Sequence, residues 1–542
     1  MGKELDLKRF IAQEYCKMGE YERGLNLYKE IFRKEERADD IKKFIEFSSK
    51  YSSKFTETKN WLKVLDIYSE FLRFKNIPKQ TYKNIGLCLS VLNNGEGAMQ
   101  FFKLYEKLAP EDKSIFLFMG ETAFDKLGDY FTAIEYYEKA LEAGNRDFTV
   151  YNTLGHLYSK CYRDSQKQKQ IDYFTKAVEL APNNEIVVKN LAYVYGKFGE
   201  VKKADEMYKR MLKLNPPYSD LHSYGAYLVR TGRFREGFKY LRNRFWKEDI
   251  AAGAFSSILK YKDKMWKINS SLKDKKVLLH YEQGFGDSIM FIRFLDDLKT
   301  KCKSVELVLQ KGLVKLFKDS GIDVPIRTLE EVDSLDFDVL IPMMDLPLVY
   351  RLKRTSIPYA EGYLDVPEEK IKNYRRGVIK NNGKFRVGFA YEGSAASLET
   401  KRDIPIEEFY ELMKIENIDM YCFQVGDIYS QLDKVPKECK FIKLGETFNN
   451  WQDTACAMKC MDVMITSDNG VMNLAGALGV KTFGIFNSFT EWRWIKTKGN
   501  DVAWYKSVKP FQCATTNEWY SAMHPAIEEI KKLAELKKNN KC

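Results

Sequence analysis

Apolar and polar positions follow two different rhythms along this chain, and the change falls near residue 270. Before it, apolar residues recur at helical spacing in blocks that resemble one another. KLGDYFTAIEYYEKAL (126–141) aligns with KFGEVKKADEMYKRML (197–212) and KMGEYERGLNLYKEIF (17–32), and more weakly with RTGRFREGFKYLRNRF (230–245). Each block carries a turn glycine, a small residue five positions on (Ala133, Ala204, Gly24, Gly237), then Tyr137, Tyr208, Tyr28 or Leu241 four further. After it, strand-like runs alternate with helical ones: KKVLLHYE, DSIMFIRFLDDLKT, VELVLQ, GLVKLFKDS and DFDVLIPM. A second series starts near 384 with KFRVGFAYEG, IEEFYELMKI, DMYCFQVG, MDVMITSD, VMNLAGALG and KTFGIFN. Alternation of strands and helices at these lengths implies parallel, doubly wound sheets.

Pro182 and Pro216 lie one period of about 34 residues apart, the tetratricopeptide spacing. A small residue lets the second helix of a repeat approach the first, and the aromatic fills the gap to the next repeat. Such units bury their apolar faces only by stacking, which builds a solenoid with a concave groove. Roughly six repeats are expected up to residue 246, degenerate near 45–72 and 81–110, with a small insertion at CYRDSQKQKQ (161–170). The expected organisation is an all-α solenoid over 1–250 and two Rossmann-like α/β halves over 270–375 and 384–542. EEKIKNYRRGVIKNNGK (368–384), charged and ending in Asn-Asn-Gly, reads as the linker between them.

With 542 residues the chain exceeds one core, and 44% hydrophobic with 30% charged residues suits a folded, soluble protein. No apolar run reaches about eighteen residues and the N-terminus lacks a signal-peptide core, so a cytoplasmic protein without a transmembrane segment is expected. The net charge of +12 is spread among mixed Lys and Glu, which argues against a nucleic-acid binder. Ten scattered cysteines without a C-x-x-C pair, and four histidines, argue against a zinc site.

Three strand ends carry candidate chemistry, because ligands of such sheets bind beyond the carboxyl ends of the strands. In HYEQGFGDSIMFIRFL (280–295), Gly284 and Gly286 flank the turn that presents Asp287, which reads as a base, a phosphate-loop residue or a helix cap. In ITSDNGVMNLAGALG (465–479), a strand delivers Ser467, Asp468, Asn469 and Gly470 to a helix start. Free N–H groups and the helix dipole there suit a diphosphate. Asp468 as an N-cap, with Asn469-Gly470 as a plain turn, is the competing reading. In YEGSAASLETKRDIP (391–405), Lys401 and Arg402 can reach a phosphate, or are surface charge. Gln283, Gln424, Trp492 and Arg493 are further cleft candidates.

LLHYEQGFGDSIMFIRFL, SDNGVMNLAGALGVKTFGIF and EWRWIK, taken together and in this order, resemble bacterial tetratricopeptide-repeat proteins with a glycosyltransferase domain. That domain is of the GT-B type, similar to lipopolysaccharide heptosyltransferases and more distantly to O-linked N-acetylglucosamine transferases. The resemblance spans about the whole chain. It implies inverting, metal-independent transfer of a sugar from a nucleotide donor to a protein or glycan acceptor held by the repeats, with no cofactor. It also implies Asp287 as general base, Asp468, Asn469 and Gly470 at the diphosphate, and Arg402, ahead of Pro405, at a phosphate. The Trp492-Arg493-Trp494 segment matches a motif of the repeat-bearing relatives without an assigned role.

Two departures accompany the resemblance. Asn473 stands where relatives have His, and the loop GSAASLETKRD is less polar than theirs. Asp336-Phe337-Asp338 superficially resembles a D-x-D metal site but opens an apolar strand, and reads as structural. A non-catalytic repeat scaffold with a degenerate GT-B part is the alternative function. An epimerase of similar architecture ranks lower, since His156, His222 and His524 lie outside the strand-end motifs and His280 within a strand.

Overall fold

The computed structural model describes residues 2–74, 77–246, 253–353, 357–379, 382–393, 402–495 and 502–539. The chain forms two compact units, Met1–Asn190 and Leu191–Cys542.

The described residues of the first unit form helices joined by turns. Its helices pack in consecutive pairs, beginning with Gly2–Lys17 and Tyr21–Phe32 and ending with Phe148–Cys161 and Lys167–Leu180. Close approach within a pair rests on the small residue of the sequence pattern. A Cβ added to Gly24 would lie 2.7 Å from the Ala12 carbonyl oxygen and collide with Cys16 Sγ. The aromatic of the pattern is buried: Tyr28, Tyr137 and Tyr208 are each at most 4 % exposed. Continuing through Glu185–Lys197, Val201–Leu212, Tyr218–Arg230 and Phe234–Leu241, the described residues hold seven helix pairs, one more than the sequence pattern predicts. The expected insertion at 161–170 shrinks to a short turn at Arg163–Gln166, because Lys167–Gln170 already form the first turn of the next helix.

The second unit begins within the helix Glu185–Lys197, carries the three repeat helices that follow it, and holds two parallel sheets. The first comprises β1 (Lys276–His280), β2 (Ser304–Val308), β3 (Ile326–Arg327) and β4 (Val339–Pro342), in the order β3-β2-β1-β4. The second comprises β5 (Phe385–Ala390), β6 (Ile418–Cys422), β7 (Ile442–Lys443), β8 (Val463–Ser467), β9 (Thr482–Phe486) and β10 (Val508–Gln512), in the order β10-β9-β8-β5-β6-β7. Both orders reverse direction beside the first strand of the sheet, between β1 and β4 and between β5 and β8. These reversals are where neighbouring loops diverge and leave a crevice. β8 and β9 are buried along their whole length, as covered parallel strands must be.

One core joins Phe234, Phe238 and Leu241 to Leu279, Phe291 and Met464, so the final helix pair packs with the α/β elements and not as part of a detached solenoid. The helix Tyr520–Asn539 covers the other face of the second sheet through Ala522, Ala526 and Ile530. The segment expected as a linker contains the helix Glu368–Gly377. Ile371, buried on it, joins the core, which a solvated linker would not do. Asp336 and Asp338 are engaged by Lys276, through its Nζ at 2.5 Å and its backbone N–H at 2.8 Å. No helix of the described residues is long and apolar enough to cross a membrane.

Candidate functional site

At the end of β1 the chain turns through Tyr281, Glu282, Gln283 and Gly284 into the helix Phe285–Phe291. The N-cap is Gly284, in extended backbone, with no side-chain capping bond, so Asp287 is not the cap. It sits in the first turn, and its Oδ1 accepts a 2.8 Å hydrogen bond from Arg493 Nε. Arg493 also donates to Gln283 Oε1 at 2.9 Å and to Glu491 Oε2 at 2.8 Å. Burial alone would lower the guanidinium's basicity, but Asp287 and Glu491 outweigh it and hold the pKa above its ordinary value.

The β1–β4 reversal is filled by protein. Arg244, 2 % exposed, donates to Glu282 at 2.5 and 2.9 Å and to Asp345 at 2.9 Å. Arg242 reaches the second Asp345 oxygen at 2.9 Å, and the Met344 N–H donates to Glu282 at 2.8 Å. Two guanidinium groups from the last repeat thus neutralise two carboxylates at the strand ends. Neither of these carboxylates was singled out in the sequence, where Glu282 and Asp345 lie 63 residues apart.

The β5–β8 reversal is different. β8 ends at Ser467, and Asn469 caps the helix Gly470–Ala477 by accepting the Met472 N–H at 3.1 Å. Asn469 Nδ2 donates to the Glu392 carbonyl at 3.4 Å and to Ser467 Oγ at 3.3 Å, tying the ends of β5 and β8 together. The cap is Asn469 and not Asp468, which leaves the Asp468 carboxylate directed elsewhere, 3.6 Å from Arg402 Nη1. Burial first, then the neighbouring charge of Glu491, pushes Asp468 up to about 6, partly offset by Arg402. Gln424 serves the backbone: its Oε1 accepts the N–H groups of Tyr391 and Glu392 at 3.3 and 3.1 Å. Lys401 lies outside the described residues.

Arg402, Asp468, Phe486, Asn487, Phe489 and Glu491 line an open pocket of about 280 Å³, part of it continuous with solvent. Phe489 and Glu491 were not among the residues expected at the site. They follow β9, and their signal was the polar stretch NSFTE after an apolar strand. Trp492 is buried against Phe238 and Phe291, and Trp494 against Phe486, so the two tryptophans anchor the turn that extends Arg493.

The two helix starts meet. A Cβ on Gly286 would lie 2.9 Å from Asn473 Nδ2 and 3.6 Å from the Gly470 Cα, so only glycine admits this approach without displacement. Asn473 is held from both ends, accepting the Tyr505 hydroxyl at 3.0 Å and donating to the Asn469 carbonyl at 3.2 Å. The arrangement therefore brings together Asp287, Gln283 and Arg493 on one side and Arg402, Asp468 and the Gly470 helix start on the other. Chemically it offers the Asp287, Asp468 and Glu491 carboxylates, two guanidinium groups and a helix start, of which Arg402, Asp468 and Glu491 line the pocket.

Against known proteins, the tetratricopeptide repeat model matches residues 115–143 and 190–218. The chain is thus a repeat protein whose helical series leads into an α/β part with two parallel sheets. Protein FlbA of Caulobacter vibrioides is 21% identical over 474 residues, covering 81% of this chain and 75% of FlbA. An alignment of that length reaches beyond the repeats into the sheets. The human cell division cycle protein 16 homolog is 29% identical over 139 residues, 24% of this chain and 22% of that protein, so the chain spans about a fifth of that relative. The solved structure of MamA from Desulfovibrio magneticus RS-1 (residues 41 to the end) is 22% identical, covering 31% of this chain and 94% of MamA at a TM-score of 0.29.

Proposed function

We propose that the α/β part is a GT-B-type glycosyltransferase that binds a nucleotide-linked sugar beside Arg402 and the Gly470 helix start and transfers the sugar to a protein or glycan acceptor. The observation that carries this reading is the apposition of the two helix starts through Gly286 and Asn473, which sets a carboxylate-bearing turn facing a cationic, N–H-rich one. The strand order of the second sheet is that of dinucleotide-binding folds, with the opening at the reversal where ligands bind.

In the reaction, the acceptor hydroxyl gives its proton to the Asp287 carboxylate as its oxygen attacks the anomeric carbon. The bond from that carbon to the diphosphate breaks, and the nucleoside diphosphate leaves with the electron pair. Arg402 and the N–H groups at the helix start stabilise that charge. Asp287 becomes a competent base when substrate draws Arg493 away from it, for example onto a phosphate.

A specific observation favours a second reading, a repeat scaffold whose α/β part binds a nucleotide without turnover. Asp287 is already neutralised by Arg493, and both ends of the Asn473 amide are in use. A thermal-shift panel with UDP, GDP, ADP, CDP and their sugars, followed by product analysis, separates the two. Shift with release of the nucleoside diphosphate supports the enzyme, and shift without it supports the scaffold. No shift with any nucleotide counts against both.

A further inference from the structure

Arg230 closes the helix Tyr218–Arg230 and is half-buried. Its guanidinium lies 4.3 Å from the centre of the Phe489 ring and 6.0 Å from that of Tyr227. Tyr193 packs edge-on to Phe489, with ring centres 6.1 Å apart. The most enclosed arginines of the second unit are satisfied within the fold: Arg244 by Glu282 and Asp345, Arg493 by Asp287 and Glu491, and Arg293 by the Met290 and Trp504 carbonyls and the Tyr363 hydroxyl. Arg230 has neither a carboxylate nor a hydrogen-bond acceptor among the described residues, only ring contacts. The groups that act on its charge are the phenols of Tyr208, Tyr193 and Tyr227, and burial holds its pKa below the ordinary value.

An enclosed cation without an anion is costly to the fold, and retention of one points to a use outside it. The cradle is also open: Arg230 itself is only half-buried and Tyr193 is 38 % exposed. Phe489 belongs both to this cradle and to the pocket that holds Arg402 and Asp468. We infer that Arg230, framed by Tyr193, Tyr227 and Phe489, is the receptor for a carboxylate of an acidic protein partner that docks beside the pocket holding Arg402 and Asp468. The guanidinium supplies a planar, two-pronged donor, and the flanking rings exclude water from the ion pair. The net charge of +12 draws an acidic segment toward the chain, and the cradle selects where it docks. This inference holds for an acceptor of the proposed transferase and equally for a partner of a scaffold.

The test uses the full chain, a fluorescein-labelled hepta-glutamate peptide, its hepta-glutamine counterpart and inorganic phosphate, with no nucleotide sugar present. It can therefore fail independently of the transferase reading. Saturable binding of the glutamate peptide is expected, weakened at least tenfold by Arg230→Gln and unaffected by Lys532→Gln, which removes the same charge from an exposed position. Arg230→Lys, which keeps the charge and loses the planar fork, is expected to fall between, and it serves if Arg230→Gln does not fold. Absence of glutamate-peptide binding, equal binding by wild type and Arg230→Gln (or, where that fails to fold, Arg230→Lys), or equal loss in Lys532→Gln would overturn the inference. So would Arg230-dependent displacement of the peptide by millimolar phosphate, which would mark a phosphate site instead.

Discussion

Asp287 and Arg493 are 206 residues apart in the chain and 2.8 Å apart in the fold, joined by a hydrogen-bonded ion pair between the turns that follow β1 and β9. The pair is mostly enclosed, with 15 to 17 % side-chain exposure. Removing Arg493 strands two carboxylates, Asp287 and Glu491. Arg493→Ala is expected to cost about 3 kcal/mol, the scale of a broken, largely buried pair, as read from urea unfolding. An unchanged midpoint would mean that the pair is solvated in solution.

The proposed base role separates activity from stability. Asp287→Asn keeps the size and the ability to accept a hydrogen bond from Arg493, so folding should survive. Transfer, once a donor is found, should drop about 10²–10⁴-fold, the usual contribution of a general base. A variant that retains full transfer would remove Asp287 from the chemistry.

Asp468 gives stability a pH dependence of known sign. Its folded pKa, about 6, lies above the ordinary 3.8, so the folded state holds the proton more tightly than the unfolded chain does. The penalty is complete above pH 6 and relieved as pH falls from 6 toward 4. Asp468→Asn should therefore exceed wild type in stability by about 2 kcal/mol at pH 7.5, allowing for the lost attraction to Arg402, with the gap closing near pH 4. Guanidinium chloride melts of both proteins across that range check it, and a gap that widens toward acid would refute it.

The plug at the first sheet reversal gives the largest expected loss. Arg244→Met leaves Glu282 and Asp345 buried with Arg242 as their remaining cationic neighbour, and should cost about 3–5 kcal/mol. Replacing Asp345 by Asn in the same background should recover part of the loss, measured as a double-mutant cycle.

Crowding at the helix starts is tested by glycine replacements. A Cβ on Gly476 would fall within 2.4 Å of two atoms of the enclosed Tyr505 ring, whereas one on Gly286 would meet the end of the Asn473 side chain at 2.9 Å. Gly476→Ala should therefore destabilise more than Gly286→Ala, by about 1–3 kcal/mol beyond it, in thermal melts.

Helices were legible wherever the Gly, small and aromatic positions repeated, because those residues set how closely two helices pack within a few turns of sequence. Longer strands were legible for a similar local reason, as β1, β5, β8 and β9 are mostly apolar segments of five or six residues. The two-residue strands β3 and β7 gave no such run, and β10 carries Pro510 on a sheet edge, where a missing N–H is tolerated. The turns that hold Asp287 and Asp468 were visible, but their caps were not. Gly284 and Asn469 take those positions because of backbone angles that the Gly-Phe-Gly-Asp and Ser-Asp-Asn-Gly strings do not dictate. Pairings such as Arg493 with Asp287 or Arg244 with Asp345 span 206 and 101 residues, and only the packed fold brings them together.

The Arg242 and Arg244 plug also decides where the chain can be divided. Composition changes near residue 270, which invites a truncation there to isolate the sheets. That cut would remove both guanidinium groups from Glu282 and Asp345, along with the apolar contacts of Phe234 and Phe238, and leave a fragment with bare buried charge. A fragment starting near 185, ahead of the helix Glu185–Lys197, keeps the lock intact. The practical seam of the molecule lies inside the repeats, some eighty residues before the place where the sequence changes its rhythm.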